Sequence, residues 1–179
     1  MVEYKGKKFE PFIYDDLIDR VIANLAERIT HDLKDKNPIF LVVLNGAFMF
    51  AADLMRDLDF DCEVNFIRMK SYDGTESTGD VKTVLGIEES LKGRVVVVVE
   101  DIVDTGNTLD VIMDLLPKYE PKEIKIATFL MKPENYKKKH TVDYVALRIP
   151  NEFVLGYGLD YDGYGRNLKD LYKLKESEN

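Results

Sequence analysis

The sequence has a single cysteine, no tryptophan and no long hydrophobic run. Because Cys62 has no partner in the chain, an internal disulfide cannot form, and we expect a reducing, cytoplasmic location. The longest apolar runs, residues 39–44 and 47–52, are far shorter than the about 20 residues that a membrane-spanning helix needs. Residues 1–9 are charged and lack an apolar centre, so we expect no signal peptide. These absences favour an intracellular globular protein that does not enter a membrane.

Positive charge is also scarce. The 25 Lys and Arg residues face 33 Asp and Glu residues, for a formal net charge of −8. This excess of negative charge disfavours nonspecific nucleic-acid binding, and at first sight it also disfavours anionic small-molecule substrates. What the chain does have is 179 residues, 45% of them hydrophobic and 32% charged, which is typical of one globular domain with a substantial core.

The order of the sequence patterns predicts an α/β fold. Apolar residues at helical spacing predict a helix over residues 16–34, with shorter helices over 48–58 and 107–116. Apolar runs predict strands at 39–44, 63–69, 95–99, 124–131, 142–149 and 153–157. Strands that alternate with helices indicate a central, mainly parallel sheet flanked by helices. The polar residues 71–80 predict a long functional loop, and the charged tail from Lys169 is expected to contain a last short helix.

Acidic side chains cluster where the strand of five valines ends. Glu100 and Asp101 follow residues 95–99 directly, and Asp104 comes three residues later. Side chains alternate along extended backbone, so Glu100 and Asp101 are expected to point to opposite sides. Residues 105–108, Thr-Gly-Asn-Thr, open the next helix with backbone N–H groups and hydroxyls that suit a phosphate, but they lack the Gly-Lys of a Walker loop. The alternative is a cluster of helix-capping residues on a surface turn.

The segment Glu-Asp-Ile-Val-Asp-Thr-Gly at residues 100–106 resembles the phosphoribosyl-pyrophosphate signature of the type I phosphoribosyltransferases, and their hypoxanthine-guanine branch in particular. Further matches to that branch, in order, are residues 44–46, 48–54, 71–72 and 77–80, Lys132, residues 153–161, Tyr164 and Arg166. The resemblance implies the fold of that family, with a core of about residues 14–152 and a small hood from residues 1–13 and 153–179. It implies transfer of a phosphoribosyl group to a 6-oxopurine base, with Mg²⁺ as cofactor.

The resemblance implies a catalytic role for Asp104, which corresponds to the acid that lies beside purine N7 in the family and is proposed there as general acid/base. Glu100 and Asp101 correspond to residues that bind the ribose hydroxyls. Together with Asp160 they are the implied Mg²⁺ ligands, and carboxylate oxygens are ligands that Mg²⁺ accepts beside water and phosphate.

The base and the two phosphate groups have implied positions as well. Lys132 corresponds to the donor to the 6-oxo oxygen, Phe153 is expected to stack on the purine, and Val154 to offer backbone groups to its edge. The 5′-phosphate is expected at Thr105, Gly106, Asn107 and Thr108. Pyrophosphate is expected at Leu44, Asn45, Gly46 and Arg166. Ser71 and Tyr72 open the loop that is expected to close over the reacting centre and exclude water.

Two asparagines depart from the family pattern. Relatives often have a cation at the positions of Asn45 and Asn107, so phosphate binding here is expected to depend on backbone N–H groups, Arg166 and Mg²⁺. The family has a cis peptide bond before the position of Asn45, which we also expect here. Residues 137–139, three lysines, are expected to be solvated. A phosphoribosyltransferase for another base such as xanthine, or a nucleotide-sensing regulatory protein on the same fold, are the alternatives, and family habit implies a homodimer or homotetramer.

Overall fold

The computed structural model describes residues 1–70, 82–85 and 91–175, with backbone alone at 70 and 82–85. Its strands are Val2–Tyr4 (β1), Lys7–Ile13 (β2), Ile39–Leu44 (β3), Glu63–Lys70 (β4), Lys82–Leu85 (β5), Val95–Val103 (β6), Glu123–Met131 (β7), Tyr144–Arg148 (β8), Val154–Leu155 (β9) and Leu171–Leu174 (β10). Its helices are Asp15–Leu33 (α1), Phe48–Asp57 (α2) and Asn107–Leu115 (α3), and a 3₁₀ turn spans Leu116–Tyr119.

The larger sheet has the strand order β5-β4-β3-β6-β7-β8. The five neighbouring strands β4, β3, β6, β7 and β8 are parallel to one another. Strand β5 pairs antiparallel with β4 at one edge of the sheet. The prediction of a central parallel sheet flanked by helices is therefore confirmed. Alternate valines of β6 explain why both faces are covered. Val97 packs into the core cluster that holds buried residues of α1 and α2, whereas Val96 and Val98 pack with Leu109 and Ile112 of α3. Each fully buried valine contributes about 1.5–3 kcal/mol relative to an exposed one.

The smaller sheet is antiparallel, has the order β1-β2-β10-β9 and forms a hood beside the larger one. The prediction of a last short helix in the tail is wrong, because Leu171–Leu174 is a strand that pairs with both β2 and β9. Leu171 is completely buried, and the charge of Lys173 is met by Glu10 and Glu152 at 3.8 and 3.4 Å. Pairing on both sides satisfies the backbone of Leu171–Leu174, so this segment is a strand despite the charged composition of the tail.

The predicted strand over residues 153–157 is shorter than expected, because only Val154–Leu155 is a strand. The chain turns at Gly156, whose φ of +105° lies in the left-handed region, and a Cβ there would be 2.1 Å from the carbonyl oxygen of Asp170. Glycine is required at this close approach. Among the helices that the structure describes, none is long and apolar enough to cross a membrane.

Candidate active site

Loops at the carboxyl ends of β3, β6 and β7 face the small sheet, which is where open parallel sheets bind ligands. Three adjoining cavities lie here, and Asp101 lines all of them. The first follows residues 100–109. The second is lined by Asp104, Lys132, Phe153, Val154 and Asp160, and the third by residues 44–46, Glu100, Thr108, Asp160 and Arg166. The cavities thus gather every predicted site residue except Ser71 and Tyr72, which lie outside the described residues.

Strand β6 continues through Val103, so Glu100 and Asp101 lie within the strand and not after it. Glu100 is only 6% exposed, and its Oε2 atom has no hydrogen-bond partner within the described part of the chain. Burial and the neighbouring Asp101 charge hold the pKa of Glu100 well above its usual range. Burial likewise raises the pKa of Asp101 to about 6, although the Ile102 N–H donates to its Oδ1 at 2.8 Å. Two adjacent carboxyl groups therefore lie in a pocket that supplies little compensating positive charge.

Asp101 lies directly against the loop that follows β3. A Cβ placed on Gly46 would be only 1.5 Å from Asp101 Oδ2, so the Asp101 carboxylate can keep this position only beside a glycine. A Cβ on Gly158 would in turn be 2.2 Å from the Gly46 carbonyl oxygen, which shows how tightly the hood packs on this loop. The peptide bond between Leu44 and Asn45 is cis, as the family pattern predicts.

Asp104 is held by two donors, one on each carboxylate oxygen. Lys132 Nζ donates to Oδ2 at 2.7 Å, and Asn135 Nδ2 donates to Oδ1 at 2.7 Å. Burial alone would raise the pKa of Asp104, but the hydrogen bonds from Lys132 and Asn135 and the Lys132 charge outweigh it, and the pKa lies below its ordinary value. Asp104 is therefore an ionised carboxylate at neutral pH, on the wall of a cavity that it shares with Phe153.

The loop before α3 has the form of an anion cradle. Gly106 is the N-cap residue with φ +84°, and residues 104–108 line the first cavity at the helix N-terminus. A Cβ on Gly106 would lie 2.5 Å from the Tyr136 ring and 2.8 Å from Lys138 Cγ, so these two side chains cover the back of the loop. Residues 137–139 were expected to be solvated, and Lys137 and Lys139 are exposed, but Lys138 is half-buried. Its Nζ pairs with Asp110 Oδ2 at 2.6 Å, which puts a cation beside the first turn of α3.

Asp160 and Arg166 form an ion pair on the hood side of the third cavity. Arg166 Nη2 donates to Asp160 Oδ1 at 2.6 Å, and Nη1 donates to the Gly158 carbonyl oxygen at 2.6 Å. The other Asp160 oxygen accepts the Gly163 N–H at 2.6 Å. These contacts fix the guanidinium across the cavity from Asn45, and they leave Arg166 with further N–H donors.

Phe153 provides an apolar wall for the second cavity. Its side chain is 47% exposed, and its ring centroid lies 5.8 Å from that of Tyr161 in an edge-to-face contact and 6.3 Å from that of Phe9. Val154 next to it is buried in β9. An exposed ring that is itself held by two others presents a flat apolar surface beside Asp104 and Lys132.

Comparison with known proteins agrees with this geometry. The family model for the phosphoribosyl transferase domain matches residues 13–162. A hypoxanthine-guanine phosphoribosyltransferase of Streptococcus pyogenes is 42% identical over 163 residues, which is 90% of each chain. The chain belongs to the hypoxanthine-guanine phosphoribosyltransferase family. Solved structures agree: a crystal structure of a hypoxanthine-guanine phosphoribosyltransferase from Bacillus anthracis has a TM-score of 0.86 and 38% identity, covering 93% of this chain and 98% of that one. Hypoxanthine phosphoribosyltransferase from Trypanosoma cruzi, in complex with IMP, has a TM-score of 0.87 and 36% identity, covering 98% of both chains.

Within this phosphoribosyltransferase site, sequence reasoning missed Asn135, Tyr136 and Lys138. All three follow Lys132 in the segment after β7, which begins with a turn in which Asn135 N–H and Tyr136 N–H both donate to the Lys132 carbonyl oxygen at 3.2 Å. Their spacing carries no motif. The only signal in the sequence was their proximity to Lys132, which the family resemblance had already singled out.

Proposed function

We propose that the protein transfers the 5-phosphoribosyl group of phosphoribosyl pyrophosphate to N9 of hypoxanthine or guanine, giving IMP or GMP and pyrophosphate in purine salvage. The observation that carries the proposal is the Asp104 carboxylate, held by Lys132 and Asn135 on the wall of the cavity that Phe153 also lines. The names of the curated relatives support the same reaction.

In the proposed reaction, purine N9 attacks C1′ of the ribose, the bond from C1′ to the pyrophosphate oxygen breaks, and its electron pair leaves with pyrophosphate. Asp104 takes the proton that the ring loses at N7. An ionised carboxylate with a lowered pKa suits this task because it is ready to accept a proton at neutral pH. A positioned acid/base of this kind contributes a factor of about 10²–10⁴ to the rate.

Base recognition is assigned to the second cavity. Lys132 donates one N–H to Asp104, and its ammonium group has two further N–H donors that can bind the 6-oxo oxygen of the purine. Phe153 provides the stacking surface, and Val154 provides backbone groups at the edge of the ring. A 6-aminopurine offers Lys132 a donor where it needs an acceptor, so we expect adenine to be rejected.

Phosphate binding is assigned to local donors and not to the net charge of the chain. The loop at residues 105–108 presents backbone N–H groups at a helix N-terminus to the 5′-phosphate, and Arg166 faces the loop at Asn45 and Gly46, where pyrophosphate is expected. The net charge of −8 is compatible with an anionic substrate because several acids lie in the site itself, where they serve hydroxyl groups, a proton and a cation.

The residues present also fit Mg²⁺. No group of three metal-ligating side chains converges in the described ranges, but Mg²⁺ requires only one or two carboxylates when phosphate and water complete its shell. The buried Oε2 of Glu100 has no hydrogen-bond partner among the described residues, and a cation would stabilise the ionised forms of Glu100 and Asp101. We assign Glu100, Asp101 and Asp160 to this role. When bound, Mg²⁺ would neutralise charge that develops on pyrophosphate.

The proposal is tested by incubating the purified protein with phosphoribosyl pyrophosphate and Mg²⁺ and supplying hypoxanthine, guanine, xanthine and adenine in turn. The nucleotides formed are separated by chromatography. We expect IMP and GMP to form. Product from xanthine alone would support the other-base alternative. Binding of nucleotide without product from any base would support a regulatory protein.

The oligomeric state remains a prediction of two or four copies. Phe48, Val64 and Phe66 are 39%, 36% and 45% exposed, and they offer apolar surface that an interface could cover. Light scattering coupled to size-exclusion chromatography measures the mass directly, and a monomer at micromolar concentration would contradict the prediction.

A further inference from the structure

Asn135 forms a polar bridge between the acid/base residue and the segment that leads into the base-binding wall. Its Nδ2 donates to Asp104 Oδ1 at 2.7 Å and also to Asn151 Oδ1 at 2.8 Å. Both partners are acceptors, so the amide must present its nitrogen to them. Asn151 lies two residues before Phe153, and the bridge therefore joins Asp104, in the loop after β6, to the segment that leads into the hood.

We propose that Asn135 is a positioning residue for the phosphoribosyl transfer, which holds the Asp104 carboxylate in one orientation and ties that orientation to Asn151. The proposal rests on the function proposed above. Lys132 holds one oxygen of Asp104 and Asn135 holds the other, so rotation of the carboxylate about its Cβ–Cγ bond would break both hydrogen bonds. Each oxygen retains a lone pair for a substrate proton.

The electrostatic surroundings explain why a neutral amide fits this position. Lys132 is the cation that contacts Asp104, whereas Asp101 and Asp160 line the same cavity with negative charge. A second lysine would compete with Lys132 for the carboxylate and lower its basicity further. A carboxylate at position 135 would repel Asp104 and could not donate to it. An amide donates without adding charge, and it has two N–H bonds for its two acceptors.

Asn135→Asp is the sharpest test because it preserves shape, removes both donors and adds a negative charge. Asn135→Ala removes the donors without adding charge. We expect kcat to fall about 10- to 100-fold in Asn135→Asp and about 10-fold in Asn135→Ala, because misorientation of a catalytic group is costly. KM for phosphoribosyl pyrophosphate should stay within about twofold, since the side-chain hydrogen bonds of Asn135 go to Asp104 and Asn151 and not to residues 105–108.

The pH profile separates positioning from a purely structural role. Removal of a donor to the ionised form raises the pKa of Asp104, so the acidic limb of kcat/KM should move to higher pH, and further in Asn135→Asp than in Asn135→Ala. Asn24→Asp, an equal change of charge on an exposed residue of α1, is the matched control and should retain the wild-type profile.

Each outcome decides one question. Failure of the wild-type protein to make nucleotide from hypoxanthine or guanine overturns the proposed function itself. An active wild type with an unchanged kcat and pH profile in both Asn135 variants overturns the positioning role alone. Loss of the folded state in both variants, measured by thermal unfolding, also overturns it, because Asn135 would then act through stability.

Discussion

Substitution of Gly46 by alanine should separate activity from stability. The new Cβ would lie 1.5 Å from Asp101 Oδ2 and 2.5 Å from its Cγ, whereas nonbonded heavy atoms are comfortable at about 3.5 Å. The carboxylate must therefore retreat by about 2 Å, and its hydrogen bond from the Ile102 N–H would be lost. Asp101 lines all three cavities of the site, so its displacement disturbs the whole centre.

The expected magnitudes differ for the two properties. Asp101 is proposed to bind substrate, and misplacement of such a group by about 1 Å can cost about 100-fold, so kcat/KM for phosphoribosyl pyrophosphate should fall by about that factor. The free energy of unfolding should fall by only about 1 kcal/mol, because the clashing atom is the end of a side chain that can turn away. Gly158→Ala should cost about 3 kcal/mol or more, since its Cβ meets the backbone oxygen of Gly46 at 2.2 Å and its φ is +95°.

Initial-rate kinetics and urea unfolding measure the two effects. Gly93→Ala is the control, because its φ is +72° and its Cβ would meet nothing within 4 Å, so it should lose stability and retain activity. In an Asp101→Ala background, Gly46→Ala should cause little further loss of activity. The nearest remaining atom of residue 101 would then be its Cβ, 3.3 Å from the new Cβ at position 46. Full activity in Gly46→Ala, or a loss that adds completely to that of Asp101→Ala, would refute the reasoning.

Four further substitutions test other contacts. Asp104→Asn should lower kcat about 10²–10⁴-fold with little change in phosphoribosyl-pyrophosphate affinity by calorimetry, since an amide cannot accept the proton. Arg166→Ala should weaken pyrophosphate binding about tenfold or more, because a bidentate donor is lost; the same calorimetric assay measures it. Burial and the hydrogen bond to Asp32 raise the pKa of Tyr144 to about 12. Because the Tyr144 hydroxyl loses its proton at lower pH in the unfolded chain than in the folded one, the free energy of unfolding should fall by about 2–3 kcal/mol as the pH rises from about 10 to about 12. Tyr144→Phe should lack that component in urea unfolding. Gly106→Ala should lower stability by about 1–3 kcal/mol and weaken substrate binding, because its φ is +84° and Tyr136 blocks the new Cβ.

Contrary results are equally specific. Unchanged turnover in Asp104→Asn would contradict the acid/base role proposed for Asp104. Unchanged pyrophosphate affinity in Arg166→Ala would contradict the proposed role of Arg166 in binding pyrophosphate. Parallel alkaline stability curves for Tyr144→Phe and the wild type would show that Tyr144 does not titrate as described. If Gly106→Ala has the same free energy of unfolding as the wild type, the loop can move away from Tyr136 at little cost, contrary to the prediction.

The sequence by itself determined the parallel sheet and the position of the main acidic cluster. The valines of β6 alternate between two apolar layers, a pattern that is local and can be read along the chain. Glu100, Asp101 and Asp104 follow that run of valines. They belong to the segment 100–106 on which the resemblance to the family depends. The net charge was the misleading signal, because it averages over the whole surface while substrate binding depends on a few local donors.

Only the tertiary structure decided which side chains support those acids. Asn135 reaches Asp104 across 31 positions of sequence, and the Lys138–Asp110 ion pair puts a charge beside α3 that the pattern of three lysines does not reveal. Leu171–Leu174 is a strand because β2 and β9 are both available to pair with it. A Cβ at Gly46 or Gly158 would collide with atoms of other segments of the chain, Asp101 in the first case and the Gly46 carbonyl oxygen in the second. Such contacts depend on how distant segments pack, whereas periodicity and motifs report only what neighbours along the chain can do.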